Sequence, residues 1–225
     1  MAAYSPERTS ALILAAGQGT RLGGKQKAFI EVGGSTLVER AVGSVRHFAS
    51  QILIGVEAES IPLIREIVGT ECEVIAGGAT RQQTVQHLMA RAENEIKLIH
   101  DVARPLATYS LFKAVVKTAS RFGGAVPVLP ATRRDSIALS DGEWLGAPLP
   151  RNKVVLVQTP YAFSRASITE AIRRAEDDGW QDTTITALLT RAGYRMRLVE
   201  GEMANVKITF PEDLAAIRKL FADTS

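Results

Sequence analysis

The sequence predicts an α/β fold with an open, mostly parallel, twisted sheet and helices on both faces. Three observations predict it. Short apolar runs alternate with longer amphipathic segments, the pattern of strands feeding helices. The first apolar run, Leu12-Ile13-Leu14, leads into a loop containing Gly17, Gly19, Gly23 and Gly24, the Rossmann-like arrangement in which a strand delivers a phosphate-binding loop. The alternation then breaks where Pro127, Pro130, Pro148 and Pro150 bracket a stretch without helical periodicity.

The elements follow in order. The first strand is about Ala11–Ala15. Thr36 and Glu39 are spaced as a capping box and open a helix. Gln51–Val56 is a second apolar strand, and Ser60 starts a helix with Pro62 in its first turn. Glu73–Ala76 is a short strand followed by Gly77-Gly78. Thr80 and Gln83 form another capping box, opening a helix to about Glu93. Lys97–His100 is a strand ending at Asp101, Ser110–Phe122 a helix and Gly124–Val128 a strand. Within the proline-bracketed stretch, Ser136–Leu139 and Glu143–Gly146 flank Asp141-Gly142, a two-residue hairpin signal. Residues 131–152 therefore read as a protruding β-arm. Its Trp144 and Leu145 lack an obvious internal partner and suit a second subunit; an arm folded back on its own domain is the alternative. Beyond it come an apolar strand, Val154–Gln158, ending at Thr159-Pro160, and helices at about Arg165–Asp177 and Thr184–Ala192. Strands follow at Arg195–Val199 and Val206–Ile208. Thr209 and Glu212 cap the last helix, with Pro211 in its first turn.

The length, 225 residues, suits one domain, expected over residues 10–225 after a frayed tail at 1–9. With 46% hydrophobic and 23% charged residues the composition is that of an ordinary globular protein. The net charge of +3 is dispersed, which argues against nucleic acid and agrees with an anionic small-molecule substrate. The single Cys72 excludes an internal disulfide and a cysteine metal cage and suits a reducing, cytoplasmic setting. No apolar run approaches membrane-spanning length, and MAAYSPERTS has no secretory core.

The glycine loop carries Arg21, Lys25 and Lys27 in or beside it. Free backbone N–H groups and cations together suit a polyphosphate. Two common glycine motifs each fail by one residue: Leu22 stands where the dinucleotide fingerprint needs glycine, and Gln26 where a P-loop needs a hydroxyl. In open parallel sheets ligands bind beyond the carboxyl ends of the strands. Those ends here carry the glycine loop, Gly77-Gly78-Ala79, Asp101 and Thr159, with Lys207 near the last helix.

The motifs GGATRQQTV (Gly77–Val85), HDVARP (His100–Pro105), RRDS (Arg133–Ser136), PRN (Pro150–Asn152), QTP (Gln158–Pro160) and EGEMANVKITFPEDL (Glu200–Leu214) occur in that order. With the first loop they resemble the 2-C-methyl-D-erythritol 4-phosphate cytidylyltransferase family from about Ser10 to Leu220. The resemblance implies transfer of a cytidylyl group from CTP to a polyol phosphate, releasing pyrophosphate. It implies catalytic roles for Arg21, Lys27, Arg151 and Lys207. It implies nucleotide contacts from Ala15, Ala16, Gly17, Gly19, Gly78, Ala79, Arg81, Thr84 and Asp101, and acceptor contacts from Asp101, Ser136, Arg151, Thr159 and Lys207. Magnesium is expected mainly on CTP oxygens, near Asp101, and the arm is expected to join a homodimer that shares its active sites. Another polyol phosphate, such as ribitol 5-phosphate, or a non-catalytic nucleotide-binding protein are the alternatives. The chain departs from the family's usual pattern in five places. Gln26 replaces a proline, Val102 replaces an alanine, Ser136 replaces a threonine, Ala131-Thr132-Arg133-Arg134 is an unusual run before Asp135, and Thr184 and Ile185 fill two acidic positions in Asp182–Ala187.

Overall fold

The computed structural model describes residues 4–131 and 136–222. The strands are β1 (Thr9–Leu14), β2 (Glu31–Val32), β3 (Ser35–Thr36), β4 (Gln51–Val56), β5 (Glu73–Ala76), β6 (Ile96–Asp101), β7 (Gly124–Pro130), β8 (Ala138–Ser140), β9 (Leu145–Pro148), β10 (Val155–Val157), β11 (Tyr161–Ser164) and β12 (Arg197–Glu200). The helices are α1 (Leu37–Val45), α2 (Ile61–Val68), α3 (Arg81–Met89), α4 (Tyr109–Phe122), α5 (Arg165–Asp178), α6 (Ile185–Arg191) and α7 (Pro211–Ala222). The main sheet runs β10-β7-β11-β6-β1-β4-β5, with β12 also paired to β7. It is Rossmann-like: β1 pairs in parallel with β4 and β6, β4 with β5, and β7 with β12.

Both faces of β1 are buried, so its apolar run must serve two cores. Strand periodicity sends Ala11 and Ile13 to one face and Leu12 and Leu14 to the other. The first face packs against α1, α4 and α7 through residues such as Val38, Phe112 and Ile217. The second packs against α3, α5 and α6 through Val85, Ile168 and Leu188. Each fully buried leucine or isoleucine contributes about 1.5–3 kcal/mol.

Both predicted capping boxes form. The Thr36 and Thr80 hydroxyls accept the amides of Glu39 and Gln83, whose side chains accept the cap amides in return. Each cap is worth about 1 kcal/mol.

Several expectations are corrected. The described part of the tail is tied down: the Tyr4 hydroxyl donates to the Phe48 carbonyl at 2.9 Å, Pro6–Arg8 form a 3-10 turn and Arg8 pairs with Glu95. β1 therefore starts at Thr9; residues 1–3 lie outside the described residues. α3 ends at Met89, short of Glu93. Val206–Ile208 is not a strand. At α7 the capping carboxylate is Asp213, which accepts the amides of Thr209 and Phe210 at 2.8 Å, in place of Glu212. The post-arm strand is antiparallel to β7, and β11, an unpredicted strand, is antiparallel to both β7 and β6.

The arm is a separate two-stranded sheet, β8 with β9. Its loop is four residues long, with Ser140 opposite Leu145, because Asp141 Oδ1 accepts the amides of both Glu143 and Trp144. Trp144 and Leu145 are 74% and 86% exposed, so neither packs back onto its own domain.

Candidate active site

The site is assembled at the carboxyl rim of the central strands. Past β1, the Ala15 amide donates to the Gly55 carbonyl at 2.8 Å, keeping the chain in the sheet for one more residue. The loop then closes on Gly19, whose carbonyl accepts the amides of Leu22 and Gly24. Gly19 has φ +61, and a Cβ there would lie 2.0 Å from the Lys25 carbonyl oxygen; only glycine fits. The second loop, after β5, is held by Thr84, whose hydroxyl accepts the Gly78 amide and donates to the Thr80 carbonyl, both at 3.0 Å. The two loops touch: a Cβ on Gly77 would come within 2.7 Å of the Ala16 Cβ.

Between them lies a cleft of about 200 Å³. Its small-residue wall is Ala16, Gly17, Gly78 and Ala79, with Thr84; its charged residues are Lys27, Arg81, Asp101 and Lys207. Asp101, the last residue of β6, is 5% exposed. Its Oδ1 is 2.5 Å from Arg81 Nη2 and its Oδ2 is 2.9 Å from Lys207 Nζ. Burial would raise its pKa, but Arg81 and then Lys207 outweigh it and hold the carboxyl well below the usual carboxylate range. Arg81 also donates to the buried Tyr161 hydroxyl at 3.2 Å. Burial opposes its charge, while Tyr161 and Asp101 keep the guanidinium protonated. Lys27 donates to the Ile208 carbonyl at 2.8 Å. Burial, then Lys207 and Arg21, lower its pKa against the pull of Asp101 and Asp213. The Arg21 guanidinium sits over the Phe210 ring at 5.4 Å. The lining thus has three cations and one acid, a balance that a polyanion relieves.

A family model described as IspD: 2-C-methyl-D-erythritol 4-phosphate cytidylyltransferase matches residues 9–222. The chain belongs to this family. The 2-C-methyl-D-erythritol 4-phosphate cytidylyltransferase of Thermus thermophilus is 39% identical over 211 residues, 94% of this chain and 96% of that protein. Its Deinococcus radiodurans counterpart is 36% identical over 217 residues, 96% of this chain and 90% of that protein. A crystal structure of the enzyme from Thermus thermophilus superposes with a TM-score of 0.82 at 38% identity, over 95% of this chain and 98% of that one. As a member of the IspD family, the chain is an enzyme of the nucleotidyltransferase class.

The structure brings together Ala16, Gly17, Lys27, Gly78, Ala79, Arg81, Thr84, Asp101 and Lys207. Ala15 lies buried beneath the wall, Gly19 shapes the loop and Arg21 lies within electrostatic reach of Lys27. Thr159 reaches the rim from the start of an antiparallel strand. It is buried, and its hydroxyl accepts the Asp101 amide at 3.1 Å, so its side chain props Asp101. Ser136 and Arg151 are exposed at the base of the arm and do not line the cleft of their own subunit. Arg133–Asp135 lie outside the described residues. Sequence reasoning passed over Tyr161, Arg104, Gln158 and Asn205. All but Tyr161 fall inside quoted motifs, which was the available signal; Tyr161 reads as one more apolar strand residue.

The family departures are accommodated locally. Gln26 Oε1 accepts the Ser60 hydroxyl at 2.6 Å, tying the loop to the start of α2 where the family's proline would stiffen it. Thr184 caps α6 and Ile185 is buried in the second core.

Among the described residues no group of three or more His, Cys, Asp or Glu converges as a metal site. Both Asp101 oxygens already face cations, so the donor set does not fit a metal held by the protein alone.

His100 is buried behind Asp101, edge-on to Phe112 at 5.0 Å between ring centroids. Burial pushes its imidazole from 6.5 down to about 4. Between those values the unfolded chain takes up a proton that the folded chain refuses. Stability is therefore complete above pH 6.5 and falls as pH drops toward 4, by about 3 kcal/mol for this group. Urea midpoints from pH 7 to 4.5 should show this slope in the parent and a flatter one in His100→Leu; equal slopes would refute it.

Proposed function

We propose that this enzyme transfers the cytidylyl group of CTP to 2-C-methyl-D-erythritol 4-phosphate. An acceptor phosphate oxygen attacks the α-phosphorus, the bond to the bridging β-phosphate oxygen breaks, and pyrophosphate leaves with that electron pair. A phosphate monoester is already anionic near neutral pH, so the reaction needs charge neutralisation and alignment more than a general base. The observation that carries this reading is the convergence of Lys27, Lys207 and Arg81 around one ionised Asp101, beside a wall of small residues. The wall lets a base approach the main chain. Lys27, with Arg21, faces the triphosphate, and Lys207 lies where the α-phosphate and the acceptor meet. Magnesium belongs to the substrate, carried on the CTP phosphates.

Incubation with CTP, magnesium and 2-C-methyl-D-erythritol 4-phosphate should release stoichiometric pyrophosphate, with ribitol 5-phosphate as the comparison acceptor. Faster turnover of ribitol 5-phosphate would reassign the acceptor; CTP binding without release on either would reject transfer.

The exposed Trp144 and Leu145 support an arm that packs on a second copy, bringing Ser136 and Arg151 to the partner's acceptor. Arg151→Ala should raise KM for the acceptor and leave CTP affinity unchanged in calorimetry; equal loss of both would reject a shared site.

A further inference from the structure

Lys207 lies on a segment, Gly201–Phe210, that has no regular secondary structure between β12 and α7. Its side chain is 40% exposed, so packing does not fix its place. Hydrogen bonds on either side of it do. The Gln158 side-chain amide donates to the Glu202 carbonyl at 2.8 Å and accepts the Glu202 amide at 3.0 Å, copying a strand pairing with one side chain. Asn205 is fully buried and its Nδ2 donates to the Thr159 carbonyl at 2.8 Å. The Ile208 amide donates to the Ala103 carbonyl at 2.8 Å, and Arg104 Nη1 donates to the Asn205 carbonyl at 2.6 Å.

One of these ties, that of Asn205, meets Thr159. Its hydroxyl holds the Asp101 amide while its carbonyl holds Asn205, so one residue sets the anion of the site and the strand of chain that carries the cation. We propose that Asn205, supported by Gln158, is a positioning residue that fixes Lys207 opposite Asp101. Asparagine suits the task because its amide is a short donor. Aspartate would set lone pairs against the Thr159 carbonyl, and glutamine is one methylene too long. Among the described residues Asn205 Oδ1 has no hydrogen-bond partner, so the bond to Thr159 is what orients the side chain. The role rests on Lys207 acting in the transfer proposed above.

The test is Asn205→Ala made in the parent and in Lys207→Ala, with Gln158→Glu as a second, nearly isosteric variant if Asn205→Ala folds poorly. In the parent, Asn205→Ala should lower kcat by roughly tenfold to a hundredfold, as misplacement of a catalytic group by about 1 Å does, with KM for CTP changed less than about threefold. In Lys207→Ala it should change kcat by less than about twofold, because the group it positions is already gone. In the resting protein, deuterium exchange should quicken across Gly201–Phe210 and stay unchanged in β1 and β4. The same fold-loss in both backgrounds, or unchanged exchange in the segment, would overturn the proposal. A parent without turnover would instead remove the transfer reading, and the exchange result would still decide the tether.

Discussion

Replacing Lys207 with alanine is expected to lower kcat/KM by roughly 10²- to 10³-fold, about 3–4 kcal/mol, the cost of removing one preorganised donor to a developing phosphoryl charge. The reason is local. The Lys207 ammonium is 2.9 Å from a buried carboxylate and raises the cost of keeping Lys27 charged. It is a cation held in place before any ligand arrives, with no reorganisation left to make during transfer. The fold should lose less than when Asp101 itself is removed, because Lys207 is half-exposed and the buried Asp101 carboxylate keeps Arg81 as its partner. Steady-state kinetics beside urea unfolding separate the two effects. Near-normal kcat/KM, or a loss explained by unfolding, would remove Lys207 from the mechanism.

Asp101→Ala is expected to act on the fold as strongly as on the reaction. Arg81 has a side chain only 26% exposed, and among the described residues its remaining hydrogen-bond partner without Asp101 is the Tyr161 hydroxyl. Leaving one buried charge without its partner costs about 3–5 kcal/mol. Removing both charges should cost much less, so Asp101→Asn combined with Arg81→Met should recover a large part of the loss. Simple addition of the two single losses would show that the pair does not stabilise the site. Activity should be absent in both variants.

The elements that sequence reasoning placed well are those governed by local rules. The capping boxes at Thr36 and Thr80 depend on residues three apart, and the run at Leu12–Leu14 signals burial on both faces whatever the partners. The errors fall where a distant partner decides. β10 and β11 are apolar enough to be strands, but their antiparallel direction follows from the arm, which reverses the chain before it rejoins β7. Val206–Ile208 reads as a strand by residue type. It is not one, because its backbone groups bond singly to Ala103 and Lys27 and not to a neighbouring strand.

The candidate site divides in the same way. Small and cationic residues after each strand were legible because strand ends converge in a parallel sheet. Which charge meets which was not. Arg81 and Asp101 are twenty positions apart and Lys207 more than a hundred further on, and no spacing rule relates them.

By itself, the sequence determined the helices and most of the main-sheet strands, the glycine loop and the set of cations available for an anion. Only the tertiary structure decided that Arg81 and Lys207 share Asp101, and that Thr159 turns inward to hold it. Burial and electrostatic pairing depend on distance through space, which the chain acquires only once its two cores have closed on the sheet.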